Sequence, residues 1–135
     1  MFTESNTIYI LKGVLSLSDK FLIVIQAGPQ DVGRAFHGLT YGQELHDEGY
    51  EVKIYFDGMG TQWIKEFDNP SHIFHSIFKE VQKLGIIKGA CGYCTNFFDI
   101  EEEVNGAGVF VVGGAKDGHF SFVEHIKEGY TPIIM

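Results

Sequence analysis

The sequence has few cations. Its 10 Lys and Arg residues stand against 18 Asp and Glu residues, which gives a formal net charge of −8. A nucleic-acid-binding surface needs a basic stripe that neutralises phosphates, and an anionic membrane surface attracts clusters of Lys and Arg. The composition therefore predicts neither a nucleic-acid partner nor a membrane partner.

Long apolar runs and a secretory signal are also lacking. No apolar stretch approaches the roughly 20 residues that span a bilayer. At the amino terminus, Glu4 stands where a signal peptide carries basic residues, and Lys12 interrupts the apolar run of residues 8–17. With only two cysteines there is no disulfide framework, and such a pair suits a reducing compartment. We therefore expect a cytoplasmic protein.

The two cysteines form one C-x-x-C motif, Cys91-Gly92-Tyr93-Cys94, directly after the apolar run of residues 86–90. A strand followed by a helix is expected here, and the backbone N–H groups of such a turn stabilise a thiolate. Gly92 gives the backbone of this turn conformational freedom. The motif predicts an accessible Cys91 of low pKa, with Cys94 one helical turn later as a resolving or supporting thiol. Inert packing in a core and metal binding remain as alternatives.

Five apolar runs predict strands, at residues 21–25, 52–56, 86–90, 109–112 and 131–135. Helical spacing predicts helices over 34–48, from an N-cap at Ser71 to 84, and over 122–128 behind the capping box of Ser121 and Glu124. Shorter helical turns are expected around 63–65 and 101–103. Alternating strands and helices predict a three-layer α/β/α sandwich with a mainly parallel sheet of about five strands.

Residues 1–20 are assigned to an N-terminal extension and residues 21–135 to one α/β domain. The extension is apolar and β-prone, and it could form a hairpin, a helix or an arm on a neighbouring subunit.

Several polar residues follow the predicted strands and are expected at the carboxyl edge of the sheet, where ligands collect in open α/β folds. His37 and His119 are candidates to supply charge near Cys91. Asp31 and Asp57 could orient a histidine or cap a helix, and Gly28 forms a turn. Because only two cysteines are present, a zinc site would have to recruit His72 and His75, whose spacing is tight. We expect no metal.

Three segments resemble the DsrE/DsrF-like family: the strand end Gly89-Ala90-Cys91, the loop of residues 26–29 with Gly33-Arg34-Ala35, and residues 49–52. The similarity covers roughly residues 21–135. It implies a small cytoplasmic protein of a sulfur relay, in which a cysteine matching Cys91 accepts sulfane sulfur as a persulfide and passes it to a partner. It also implies donor and acceptor proteins, a trimer or hexamer, and possible sulfurtransferase activity.

Two other functions remain open from the residues. Cys91 and Cys94 could exchange dithiol and disulfide as a thiol-disulfide oxidoreductase, or the fold could serve as a non-catalytic oligomeric binding module. No cofactor is expected, since Gly58-Met59-Gly60 lacks the third glycine of a dinucleotide fingerprint and predicts a turn.

Overall fold

The computed structural model describes residues 19–113 and 118–135. The predicted N-terminal extension lies outside the described residues, except for its last two positions. The strands are β1 (Lys20–Ile25), β2 (Glu51–Phe56), β3 (Ile87–Cys91), β4 (Val111–Val112) and β5 (Thr131–Ile134). The helices are α1 (Val32–Asp47), α2 (Trp63–Asp68), α3 (His75–Lys83), α4 (Gly92–Phe97), α5 (Glu101–Gly106) and α6 (Phe122–Lys127), with a 3₁₀ turn at Gly58–Gln62.

The five strands form one sheet in the order β4-β3-β2-β1-β5, and every neighbouring pair is parallel. Parallel pairing requires crossovers, which the intervening helices supply. The carboxyl ends of all strands therefore lie at one edge of the sheet. The predicted α/β class and strand number are confirmed.

The two faces of the sheet bury different amounts of apolar surface, because side chains alternate along each strand. Ile23 and Ile25 of β1 point into the larger core, together with Ile54 and Phe56 of β2. This core is completed by buried side chains from four helices: Ala35, Leu39, Ile64, Phe67, Phe78, Val81 and Val104.

The opposite face holds a smaller cluster of Leu22, Val24 and Tyr55, covered by Phe120 and Tyr130. The Phe120 ring stacks on Tyr55 with 4.5 Å between the ring centroids. Helix α6 reaches this cluster through one buried side chain, His125, which contacts Tyr55, Phe120 and Tyr130 edge-on. The capping box predicted for α6 is half confirmed, since Ser121 Oγ accepts the Glu124 N–H at 3.3 Å.

The predicted start of α3 is wrong. Ser71 is not its N-cap, because the Ser71 N–H donates to the Asn69 side chain at 2.9 Å within a turn. The turns continue until His75, the first residue of the helix, and the His72 ring accepts the Phe74 N–H at 3.0 Å. Local side-chain acceptors thus hold the backbone in turns where the apolar spacing alone predicts helix.

Candidate functional site

The site forms where β2 and β3 end side by side. Phe56, the last residue of β2, is the register partner of Ala90 in β3. Asp57 therefore follows β2 beside Cys91, the last residue of β3, and the Asp57 N–H still donates to the carbonyl of Ile25 at 2.9 Å. The sheet ladder thus holds the Asp57 backbone rigidly next to the cysteines.

Three potential ligand atoms converge here. The sulfur atoms of Cys91 and Cys94 and a carboxylate oxygen of Asp57 all lie within 4.8 Å of one another. The Cys94 thiol donates to Asp57 Oδ1 at 3.9 Å, a long contact of the kind sulfur makes. Gln26 Nε2 donates to the other carboxylate oxygen at 2.8 Å and so orients the group. We call Asp57, Cys91 and Cys94 the thiol cluster.

Cys91 was expected to be accessible and of low pKa, and both expectations are wrong. The residue is 1% exposed, while Cys94 is half-buried. The pKa of the Cys91 thiol is raised to about 12, chiefly by burial and to a smaller extent by the neighbouring Cys94 and Asp57, while the Cys94 N–H lowers it. The loss of water around the Cys91 sulfur outweighs the stabilisation of its thiolate by the first turn of α4, because one N–H donor cannot replace the lost water.

The backbone N–H groups of the turn were expected to stabilise the Cys91 sulfur, and they do so only in part. The Cys94 N–H donates to Cys91 Sγ at 3.5 Å and caps the start of α4. The Tyr93 N–H instead donates to the Gly118 carbonyl at 2.6 Å. The chain at Gly118 therefore lies over the first turn of α4. Gly92, singled out in the sequence, is the buried first residue of that helix.

The other predicted site residues lie outside the thiol cluster. Asp31 caps α1, accepting the Arg34 N–H at 3.2 Å, and pairs with the Arg34 side chain. His37 is exposed on α1, where its ring contacts Phe36 and Tyr41. The imidazole of exposed His119 bonds the Phe120 carbonyl.

Gly28 lies in the turn before α1, where its carbonyl accepts the Asp31 N–H at 3.0 Å. A Cβ added at Gly28 would lie 3.1 Å from the Met59 side chain, so the glycine keeps this turn close to the 3₁₀ turn.

The histidines considered as zinc ligands do not join the cysteines. His72 accepts the Phe74 N–H, and His75 Nδ1 lies 2.8 Å from the Phe67 carbonyl oxygen. Within residues 19–113 and 118–135, the group that could hold a metal contains the thiol cluster and no histidine.

Gln26 was not recognised from the sequence as a site residue. The signal that could have found it is its position: Gln26 and Asp57 each follow the last residue of a neighbouring parallel strand. Side chains at such positions meet at the carboxyl edge, so the pair could be inferred once the strand order was known.

Comparison with known proteins identifies the fold and its relatives. The model of the DsrE/DsrF-like family matches residues 19–133. An uncharacterized protein of Methanocaldococcus jannaschii, MJ0733, is 29% identical over 97 residues, which cover 72% of this chain and 76% of that protein. A second uncharacterized protein of that organism, MJ0989, is 29% identical over 86 residues, which cover 62% of this chain and 75% of that protein.

A solved structure has the same fold. The conserved protein of unknown function BT1422 from Bacteroides thetaiotaomicron superposes with a TM-score of 0.63 at 17% identity, covering 87% of this chain and 95% of that chain. None of the helices in the described ranges is long and apolar enough to cross a membrane.

Proposed function

Because the chain belongs to the DsrE/DsrF-like family, we propose that it is a sulfur-relay protein. It carries sulfane sulfur as a persulfide on Cys91, and Cys94 is the thiol through which sulfur enters and leaves. The observation that carries this proposal is the convergence of two thiols and a carboxylate within 4.8 Å at the end of β3. Cys94 is half-buried and Cys91 almost fully buried, which supports this division of roles.

The entry step uses Cys94 and Asp57. The Cys94 sulfur attacks the outer sulfur of a donor persulfide, its proton moves to the Asp57 carboxylate, and the donor leaves as a thiolate that is then protonated. A carboxylate within hydrogen-bond reach of the thiol is the arrangement required of a general base. Gln26 orients the carboxylate through its contact with the other oxygen.

The second step moves the sulfur inward. The Cys91 sulfur attacks the outer sulfur of the Cys94 persulfide while its proton passes to the departing Cys94 sulfur. Cys94 is released as a thiol, and Cys91 becomes the persulfide. Each step exchanges one S–S bond for another, so no external oxidant or reductant is consumed. Burial of Cys91 then shields the stored sulfur from solvent thiols, and the reverse sequence delivers it to an acceptor.

The partners and the assembly are part of the proposal. The relay requires a donor and an acceptor protein in the cytoplasm, and we propose a homo-oligomer of three or six subunits. Exposed apolar side chains support an interface, because large apolar groups in water favour contact with a partner. The most exposed are Ile73 at 82%, Phe97 at 72% and Phe110 at 69%, and α6 adds Phe122, Val123 and Ile126.

Thiol-disulfide exchange is a second candidate, favoured by the closeness of the two sulfur atoms. The two functions differ in what a sulfur donor does to the reduced protein. A relay protein gains sulfur atoms, whereas a dithiol oxidoreductase loses two hydrogens and forms a disulfide. A binding module changes in neither way.

Intact mass spectrometry after treatment with a small persulfide or polysulfide tests the proposal. We expect one sulfur atom to be gained, retained after removal of the donor, and released as thiocyanate by cyanide. Formation of a disulfide without retained sulfur would contradict the relay and support thiol-disulfide exchange. An unchanged mass would contradict both and support a non-catalytic binding module.

A further inference from the structure

We propose that Asp57, Cys91 and Cys94 form a binding site for a thiophilic divalent cation of the zinc type. The inference uses the atoms of the thiol cluster and does not depend on sulfur transfer.

The spacing of the donor atoms fits such an ion. Zinc binds sulfur at about 2.3 Å and carboxylate oxygen at about 2.0–2.2 Å, so neighbouring ligands around a tetrahedral ion lie roughly 3.5–3.8 Å apart. The Cys94 sulfur and Asp57 Oδ1 lie 3.9 Å apart. All three donor atoms lie within 4.8 Å of one another, so small side-chain rotations bring them into range.

The donor types select the ion. Two thiolates favour soft or borderline cations over magnesium and calcium, which take oxygen ligands. Three protein ligands leave one tetrahedral position open, as in zinc sites that keep a bound water or an exchangeable ligand. The site is therefore of the exchangeable kind, distinct from the closed four-ligand site that His72 and His75 would have completed.

Charge favours a cation as well. Ionised, the two thiols and the carboxylate would bring three negative charges together. Among the residues that the structure describes, no Lys, Arg or His forms an ion pair with Asp57. A bound divalent ion would balance these negative charges, and such an ion deprotonates coordinating thiols outright.

Gln26 completes the site as an outer partner. Ligating carboxylates are usually held by a hydrogen bond to the oxygen that does not face the metal, and loss of such partners typically costs 10–100-fold in affinity. Gln26 Nε2 donates to Asp57 Oδ2 at 2.8 Å, while Oδ1 faces Cys94. The two oxygens of Asp57 thus have separate roles.

Titration of the reduced, chelator-treated full chain with Co²⁺ tests the inference, because cobalt bound by thiolates gives a ligand-to-metal charge-transfer band. We expect one equivalent to bind and to be displaced by Zn²⁺. Cys91→Ser and Cys94→Ser should each lose charge-transfer intensity, and Gln26→Ala should weaken binding by about 10–100-fold. Asp57→Asn should weaken binding at least as much.

Asp31→Asn is the matched control, since Asp31 lies at the same edge but caps α1, a role that asparagine also fills. It should bind Co²⁺ like the wild type. If Asp57→Asn fails to fold by circular dichroism, Gln26→Ala decides the role of the carboxylate. The inference is overturned if the wild type shows no charge-transfer band, or if affinity is unchanged in the folded Asp57 or Gln26 variant. Sulfur loading is measured separately in chelator, so either proposal can fail alone.

Discussion

An acidic side chain lies at each end of β2, Glu51 as its first residue and Asp57 directly after its last, and the two have different surroundings. Glu51 accepts the hydroxyl of Tyr130, and this hydrogen bond lowers the pKa of the Glu51 carboxyl, with smaller contributions from Lys20 and Lys53. Asp57, which follows the strand, has a thiol and an amide as its partners. A carboxylate surrounded by donors and cations is stabilised as an anion, so Glu51 is structural.

Asp57 differs because its partner is a thiol. A thiol such as that of Cys94 becomes a nucleophile once it is deprotonated. The partner of Glu51 is the Tyr130 hydroxyl, whose pKa is raised, first by burial and then by the hydrogen bond to Glu51, so this hydroxyl stays neutral. In the proposed mechanism, a carboxylate at one end of β2 therefore serves structure and a carboxylate at the other end serves chemistry, because their neighbours differ.

The largest expected effect concerns the two thiols next to Asp57. A Cys91 pKa of about 12 leaves, at neutral pH, about 3,000-fold less thiolate than a free cysteine with a pKa of about 8.5. Iodoacetamide should label Cys94 first, and the Cys91 rate should rise about tenfold per pH unit between pH 7 and 10 without a plateau. Peptide mass spectrometry of the reduced, metal-free protein measures both rates. Rapid neutral labelling of Cys91 would contradict the burial argument.

Exchanging the two carboxylates for amides tests the comparison directly. Asp57→Asn removes the base for Cys94 and should slow sulfur loading by about 100-fold or more. Glu51→Gln, at the opposite end of the strand, should load at the wild-type rate. Quenched-flow loading with a small persulfide gives both rates. Equal loading rates in the two variants would show that Asp57 is not the base for sulfur loading.

The backbone beside Asp57 should be sensitive to a single methyl group. A Cβ at Gly60 would lie 2.0 Å from the Ile25 carbonyl oxygen, so Gly60→Ala must push the 3₁₀ turn away from β1. Overpacking of this kind costs about 1–3 kcal/mol. At Gly33 in α1 the added Cβ meets no atom within 4 Å, and Gly33→Ala should leave the free energy of unfolding unchanged or slightly higher. Urea unfolding measures both, and an equal response at the two glycines would refute the close contact.

The smallest effect is expected at the Glu51 end. Tyr130→Phe removes the hydrogen bond that most lowers the Glu51 pKa, so that pKa should rise towards its ordinary value. An NMR titration of the carboxyl carbon follows it. Sulfur loading should not change, because this end of the strand lies away from the thiol cluster. A pKa that stays lowered would assign the effect to Lys20 and Lys53 instead.

Much of the fold could be predicted because its signals are local. The unbroken apolar run of residues 21–25 in β1 reflects burial on both faces. In α1, the residues at helical spacing that face the sheet are small or apolar, and they are buried: Ala35, Gly38, Leu39 and Gly42. A Cβ at Gly38 would lie 2.7 Å from the Ile25 side chain, so the small residue there lets the helix approach the sheet. The sequence pattern records such contacts directly.

The site was predicted less completely because its properties depend on the whole fold. The motif correctly indicated that Cys91 ends a strand and that Cys94 lies one turn later. Cys91 ends a strand that lies between β2 and β4, and its burial, with the raised pKa that follows, depends on this long-range arrangement, which no local pattern records. The partnership of Asp57 with Cys94 likewise required the strand order.

The central claim is that sulfur enters at Cys94 and is stored on Cys91. The most direct measurement is a rapid-quench time course with a persulfide donor, in which trapped peptides report the sulfur on each cysteine. We predict that sulfur appears on Cys94 first and then on Cys91, that Cys91→Ser accumulates sulfur only on Cys94, and that Cys94→Ser loads Cys91 much more slowly than the wild type. Loading of Cys91 at the wild-type rate in Cys94→Ser, or no sulfur on Cys91 at any time, would contradict the claim.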